Sequence, residues 1–112
     1  MRFEWDEAKS ALNVRRHGIR FETAVLVFDD PFSLTLRDLL HDEEERFITL
    51  GTLGPGVIVF VVHTVFEESG EEVIRLISAR RATSRERKSY ETAQQRTAAR
   101  DRGIGRKKRR RH

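Results

Sequence analysis

Arginine is concentrated at one point of this 112-residue sequence, over residues 75–87. Arg75 lies within an alternating apolar segment, and Arg80 and Arg81 follow it. A planar guanidinium group keeps its charge and can hold two phosphate oxygens at once. On a core-side face Arg75 must be paired or open to a cleft, because burying an unpaired charge costs several kcal/mol. The segment therefore predicts a corner where anions could bind.

The residues around this corner predict a strand that passes directly into a helix. Residues 73–78 alternate with the period of two that a strand requires, which places Arg75 among apolar neighbours. Thr83 or Ser84 can cap the following helix, and Glu86 falls in its first turn. The junction thus brings several basic side chains together: Arg80, Arg81, Arg85, Arg87 and Lys88.

Charge is distributed unevenly along the chain. Residues 1–79 hold 8 Lys/Arg and 15 Asp/Glu, a net charge of −7, whereas residues 80–112 hold 14 and 3, a net charge of +11. A basic end favours a polyanion, because each neutralised phosphate releases counterions. Nucleic acid is therefore the leading class of partner.

Length and composition predict one cytoplasmic domain. The chain can bury a modest core, and its lack of cysteine fits a reducing compartment. Residues 1–6 carry no apolar signal segment, and the longest apolar run, residues 57–62, is too short to span a bilayer. We expect a soluble domain over residues 1–95 and a basic tail over residues 96–112 that stays disordered until it meets an anion.

The order of elements predicts an α+β fold, β-α-α-β-β-β-β-α, with helices packed on an antiparallel sheet. The first helix should begin after Asp6 and end at Gly18. The second should begin at Phe21 and end near Asp30, because Pro31 follows. Strands are predicted near residues 3–5, 32–37, 46–51, 57–66 and 73–78.

The run at residues 57–66 should form the central strand because it is apolar on both faces. His63 within it is either a core histidine or a catalytic one, with Arg46 and Arg75 expected beside it on the adjacent strands. On the first helix, Lys9 and Arg16 either face solvent or contact phosphate, and His17 either stabilises the helix dipole or acts in catalysis. The acidic segment at residues 41–45 is read as a solvated loop, not as a metal site.

Seven segments of the sequence, in this order and spacing, resemble the BrnT family of type II toxins: residues 3–9 with Asn13, 17–18, 21–24, 27–31, 45–51, 62–64 and 75–80. The resemblance covers residues 3 to about 91. It implies a fold like that of RelE-type ribonucleases, with two N-terminal helices on a twisted antiparallel sheet and a C-terminal helix. It also implies RNA cleavage, translation inhibition and neutralisation by a BrnA-type ribbon-helix-helix antitoxin. Such a toxin dimerises within a heterotetramer and meets operator DNA only through the antitoxin.

Cleavage without a metal or cofactor uses the 2′-hydroxyl of RNA as the nucleophile. Arg75 and Arg80, with Arg46 as a third donor, would stabilise the charge on the phosphate. His63 is the first candidate for proton transfer, with Lys9 or His17 in its place if it is buried. Two further residues, Arg81 and Lys88, are expected to bind the RNA backbone, as are Lys9 and His17.

Alternatives remain open at this stage. The arginines could instead form a structural ion-pair network with Glu45 and Asp38, and the protein could be a non-catalytic nucleic-acid-binding module or a protein that docks a basic partner. The sequence departs from the family pattern at Arg20, where a serine usually caps the second helix, and in the basic tail.

Overall fold

The computed structural model describes residues 1–40 and 44–96. The elements are, in order, β1 (Arg2–Glu4), α1 (Glu7–His17), α2 (Phe21–Ala24), a 3-10 helix (Val25–Asp29), β2 (Leu34–Asp38), β3 (Arg46–Gly54), β4 (Val57–Glu68) and β5 (Glu71–Arg81). A further helix, α3, occupies residues 84–96. None of the helices in these ranges combines the length and apolar character needed to cross a membrane.

The five strands form one sheet in the order β1-β5-β4-β3-β2. The α+β class and the central position of β4 agree with the prediction. The expectation of a purely antiparallel sheet is wrong, because β1 pairs parallel to β5 while the other three pairs are antiparallel. A parallel pair needs a long connection, and the elements between β1 and β5 in the chain supply it.

Helix α1 has both of its predicted ends. The Asp6 carboxylate accepts a hydrogen bond from the Lys9 amide at 3.1 Å. Gly18 adopts a left-handed φ of 72° and donates its N–H to the carbonyl of Val14. These contacts satisfy backbone groups that a helix end otherwise leaves unpaired.

The second predicted helix is divided. Only Phe21–Ala24 is α-helical, and the chain then tightens into the 3-10 helix, in which the β-branched Val25 and Val27 are weak α-helix formers. The Arg20 side chain makes no capping hydrogen bond. The Phe21 amide instead donates to the Ser10 hydroxyl of α1, at 3.4 Å, so one helix supplies a cap for the other.

The sheet has two unlike faces. The covered face carries Val59, Val61, His63, Leu76 and Ala79 beneath α1, α2 and the 3-10 helix, and contains the main core. The open face carries Arg46, Val62, Thr64, Arg75, Ser78 and Arg80. Helix α3 covers one end of the open face, where Tyr90 packs with Leu50 and Ile58.

A β-bulge and an asparagine shape strand β5. Val62 pairs with Ser78 but His63 pairs with Leu76, so Ile77 is an extra residue and the strict alternation predicted for this strand fails there. Beyond the bulge, the side chain of Asn13 takes the place of a neighbouring strand. It donates to the Ala79 carbonyl at 2.8 Å and accepts from the Ala79 amide at 3.1 Å. Helix α1 is thereby fixed along the β5 edge.

Candidate active site and nucleic-acid interface

Arg75 lies on the open face, not on the core-side face that the sequence pattern predicted. Its strand partners are Thr64 of β4 and Glu4 of β1. Its side chain is 53% exposed, and its guanidinium lies 3.9 Å from the Glu4 carboxylate. An exposed ion pair at this distance contributes little to stability, so the Arg75 guanidinium remains accessible to another anion.

Arg46 extends the same row across the sheet. It pairs with Asp38 of β2 and stands one residue beyond the pair of Phe47 with His63, which places it on the open face level with Thr64. Within the described residues its Nε is buried and lacks a hydrogen-bond partner. A buried donor without an acceptor is uncommon and destabilising, and a ligand oxygen could satisfy it once the Arg46 side chain turns outward.

Arg80 is held more firmly than Arg75. Its two terminal nitrogens donate to the two carboxylate oxygens of Glu86 at 2.8 and 2.9 Å, and its guanidinium stacks over the Phe60 ring at 3.9 Å. The hydrogen bond with Glu86 raises the pKa of Arg80, and the same contact lowers the pKa of Glu86. These two parallel hydrogen bonds, which we call the Arg80 fork, fix the position of the Arg80 charge.

Glu86 also belongs to the cap of α3. The Thr83 amide donates to the Glu86 carboxylate at 2.8 Å, and the Glu86 amide donates to the Thr83 hydroxyl at 3.2 Å. This is a capping box, so Thr83 is the cap and Ser84 is the first helical residue. The cap and the Arg80 fork share one carboxylate, which joins the end of β5 to the start of α3.

We call the part of the open face that extends from Arg75 to Arg80 the arginine stretch. Arg75 pairs with Thr64 and Arg80 with Phe60, four residues apart on β4. At about 3.4 Å per residue these rows are separated by about 14 Å. Ser78 and Val62 pair between them. The two arginines could therefore contact different groups of one extended ligand.

His63 lies on the covered face, away from these arginines. Its strand partners are Phe47 and Leu76, so the expectation that Arg46 and Arg75 would be its neighbours is wrong by one residue on each strand. Only 1% of its surface is exposed. A ligand on the open face cannot reach His63 unless the sheet or the 3-10 helix opens.

The surroundings of His63 explain its electrostatics. Its ring lies 5.0 Å from that of Phe28 and 6.1 Å from that of Phe47, centroid to centroid. Its Nε2 is 2.8 Å from the Thr49 hydroxyl, and its Nδ1 has no hydrogen-bond partner within the described residues. Burial lowers the pKa of His63 to about 4, so the ring is neutral at pH 7.

A cleft between α1 and the edge of β5 adjoins the open face. It has a volume of about 290 Å³ and is lined by Lys9, Leu12, Asn13, Arg16, His17, Ile77 and Ser78. Lys9 and His17, which the sequence proposed for RNA contact, thus come together. Ser78 belongs both to this cleft and to the open face, so the cleft and the arginine stretch are continuous.

The structure separates the remaining two predicted contact residues. Arg81 lies on the covered side, in a cleft that it shares with Arg20 and Thr23. Lys88 lies on α3, in a groove beside Leu34 of β2. Neither lines the cleft that contains Lys9 and His17.

The arginines do form ion pairs, as the structural alternative expected, but with different carboxylates. Arg75 and Arg80 pair with Glu4 and Glu86, whereas Glu45 pairs with Arg37 at 3.6 Å. Pairing between β1 and β5 is not visible in local sequence patterns, which is why Glu4 was missed. Of the predicted acidic loop, residues 41–43 lie outside the described ranges, as do residues 97–112 of the basic tail.

These features define a small α+β protein whose open sheet face and adjoining cleft present the cationic side chains that nucleic-acid phosphates require. Residues 5–86 match the model of the family described as the ribonuclease toxin BrnT of type II toxin-antitoxin systems. The chain belongs to the BrnT family, as the resemblance predicted. Membership implies an antitoxin partner and an RNA target.

A solved structure supports the same fold. The crystal structure of the ribonuclease toxin BrnT from Brucella abortus is similar with a TM-score of 0.52 and 22% sequence identity. The similarity covers 75% of this chain and 99% of that one. No curated protein matches the chain.

Proposed function

We propose that this protein is an endoribonuclease that cleaves RNA by attack of the 2′-hydroxyl, without a metal ion, on the open face beside the α1 cleft. The observation that carries the proposal is the continuity of two groups of basic residues through Ser78. Arg75 and Arg46 lie on one side of it, and Lys9 and His17 lie on the other.

Arginine side chains suit the central task of this reaction. As the 2′-oxygen attacks, negative charge develops on the phosphate oxygens, and a guanidinium stabilises this charge with two parallel hydrogen bonds. Arg75 is accessible and weakly paired, and Arg46 has an unsatisfied Nε. Arg80 is oriented by Glu86, and its charge lies farther along the same face.

Proton transfer requires a group that a bound substrate can reach. His63 was the first candidate, but the open face gives no access to it. The second choice therefore applies, and we assign the role to His17, which lines the same cleft as Lys9. A neutral imidazole can accept the 2′-hydroxyl proton, and the imidazolium so formed can donate that proton to the departing 5′-oxygen.

Purified RNA in EDTA, without ribosomes, tests the proposal with three proteins of confirmed fold: wild type, His17→Gln and His63→Gln. Wild type should cleave, and His17→Gln should be about 10²-fold slower or worse, which is the usual loss when a general acid or base is removed. His63→Gln should retain its activity per folded molecule. The reverse ranking would return proton transfer to His63 and place the reaction on the covered face.

The biological part of the proposal follows from the family. We propose that the freed protein acts in the cytoplasm, inhibits translation by cleaving RNA, and is neutralised by a BrnA-type antitoxin with a ribbon-helix-helix domain. In this proposal two copies of the toxin occupy the heterotetramer, and only the antitoxin contacts operator DNA. Titrating such an antitoxin into the cleavage assay should abolish activity at one equivalent, and light scattering of the mixture should give the mass of a heterotetramer.

A non-catalytic nucleic-acid-binding module is the second candidate. It is favoured by the engagement of Arg80, whose fork is already occupied by Glu86. Such a module would bind RNA without cutting it, and Arg75→Ala, which removes the accessible guanidinium, would lower its affinity and its salt dependence. Adding translating ribosomes to an inactive sample separates this candidate from a toxin that cuts only on the ribosome.

A further inference from the structure

Helix α3 separates its charges onto two sides. A groove of about 650 Å³ runs along one side and is lined by Leu34 of β2 with Arg85, Lys88, Ser89, Thr92, Ala93 and Arg96. The two acidic residues of the described helix lie elsewhere. Glu86 is engaged by Arg80 and Thr83, and Glu91 lines the groove on the other side with Tyr90.

The basic residues that line this groove form a continuous stripe along α3. Arg85, Lys88 and Arg96 are separated by three and eight residues, which keeps them on one side of a helix and spreads them over about 16 Å. Within residues 1–40 and 44–96, none of the three has an ion-pair partner, and no carboxylate lines the groove. Three unneutralised cations along a groove form an electrostatic binding site for a chain of anions.

The groove also lies apart from the proposed cleavage site. Leu34 belongs to β2, at one edge of the sheet, whereas the α1 cleft lies at β5, three strand spacings or about 14 Å away. The match to the family model ends at residue 86, so Lys88 and Arg96 lie beyond the matched residues. The chain continues with residues 97–112, which contain eight Lys/Arg and one Asp.

We propose that the α3 groove is an accessory site for the sugar-phosphate backbone of single-stranded RNA, which it holds while the strand crosses the open face toward the β5 edge. The identification of the polymer as RNA rests on the proposed function. Among the described residues, the lining contains no aromatic side chain on which a base could stack. Binding is therefore independent of base sequence and depends on the release of counterions from phosphates.

The test measures binding of the full chain to a fluorescent 20-nucleotide RNA of mixed sequence with every 2′-hydroxyl methylated, which blocks cleavage by 2′-attack. Affinity is measured between 50 and 200 mM KCl for wild type, for Arg85→Gln/Lys88→Gln/Arg96→Gln, and for a matched control, Arg15→Gln/Arg20→Gln/Arg37→Gln. All six positions are exposed, and glutamine is a good helix former where the position is helical, so both variants should fold, which circular dichroism checks.

The groove variant should have a salt slope smaller by about 2, because each phosphate contact to a single strand contributes about 0.7. Wild type should then lose about 20-fold more affinity than the variant over this range, and the control should follow wild type. Equal slopes for wild type and groove variant, or equal reductions in both variants, would overturn the proposal. If unmodified RNA is not cut but the groove variant alone has the smaller slope, the accessory site stands and the proposed ribonuclease activity fails.

Discussion

The two faces of the sheet differ in what their polar side chains do. On the covered face, His63 is held between aromatic rings, bonded to Thr49 and kept neutral. On the open face, Arg75 is half exposed and weakly paired, and Arg46 has a buried donor without an acceptor. The first arrangement serves stability, and the second leaves charge available for a ligand.

A single strand, β4, contributes side chains to both of these environments. Adjacent residues of a strand point to opposite faces, so His63 and Thr64 are neighbours in the chain but belong to different environments. Changes on the covered face should therefore alter the free energy of unfolding, while changes on the open face should alter cleavage. Four predictions test this division.

The largest effect is expected for Arg75→Ala. Removing a preorganised donor to a developing anion should slow RNA cleavage by about 10² to 10³-fold, whereas loss of an exposed ion pair should cost less than about 1 kcal/mol of stability. Arg37→Ala is the matched control, because Arg37 also has an exposed carboxylate partner but pairs with Phe47 toward the covered side. Similar losses of activity in the two variants would show that cleavage depends on overall charge and not on the open face.

Gly51→Ala should have the next largest effect, on stability. A Cβ at Gly51 would lie 2.7 Å from the Val27 Cβ and 2.8 Å from the Val27 carbonyl oxygen, so the 3-10 helix must shift. Overpacking of this kind costs about 3 kcal/mol, or a fall in Tm of about 12 °C. Gly54→Ala on the same strand is the control, since beyond its two chain neighbours no atom of the described residues lies within 4 Å of its added Cβ. The idea fails if both variants melt together, or if Gly51→Ala abolishes cleavage in the folded fraction.

Acid should destabilise the covered face through His63. Burial lowers its pKa to about 4, against about 6.5 in the unfolded chain, so the unfolded state binds more protons between these values. Stability is complete above pH 6.5 and should fall by about 2 kcal/mol at pH 5. The lowered pKa of Glu86 contributes only at more acidic pH, as that carboxylate becomes protonated. Urea titrations at pH 7.5 and 5.0 should show this loss in wild type and not in His63→Gln, and parallel losses would assign it to other groups.

Local patterns predicted most of the fold but missed several of the long-range contacts at the candidate site. The ends of α1 followed from Asp6 and Gly18, and the central strand from its apolar run, because these signals lie within a few residues of one another. The parallel pairing of β1 with β5 depends on residues about seventy positions apart, and no local pattern contains it. The division of the second helix reflects close packing of Val27 on Gly51, which is a tertiary constraint.

Long-range contacts limited the prediction of the candidate site as well. The sequence identified the arginines and the capping signal at Thr83 and Glu86, but it placed His63 beside Arg46 and Arg75. In a sheet, an error of one residue in register moves a side chain to the other face. Asn13 belonged to the recognised pattern. Its hydrogen bonds to the Ala79 backbone could not be predicted, because the sequence does not show that this part of β5 lies at a free edge of the sheet.

The smallest effects are expected at the junction of β5 and α3, where the Glu86 carboxylate accepts hydrogen bonds from both the Thr83 amide and Arg80. Thr83→Ala removes the acceptor for the Glu86 amide but leaves the Arg80 fork, so it should cost about 1 kcal/mol with cleavage nearly unchanged. Glu86→Gln keeps a capping-box side chain but removes its charge, so stability should change less while the loosened Arg80 slows cleavage about tenfold. Melting curves and initial rates measured on both variants distinguish these outcomes. If Glu86→Gln leaves the rate unchanged, Arg80 is a structural anchor for α3, and the reaction depends on Arg75 and Arg46 without it.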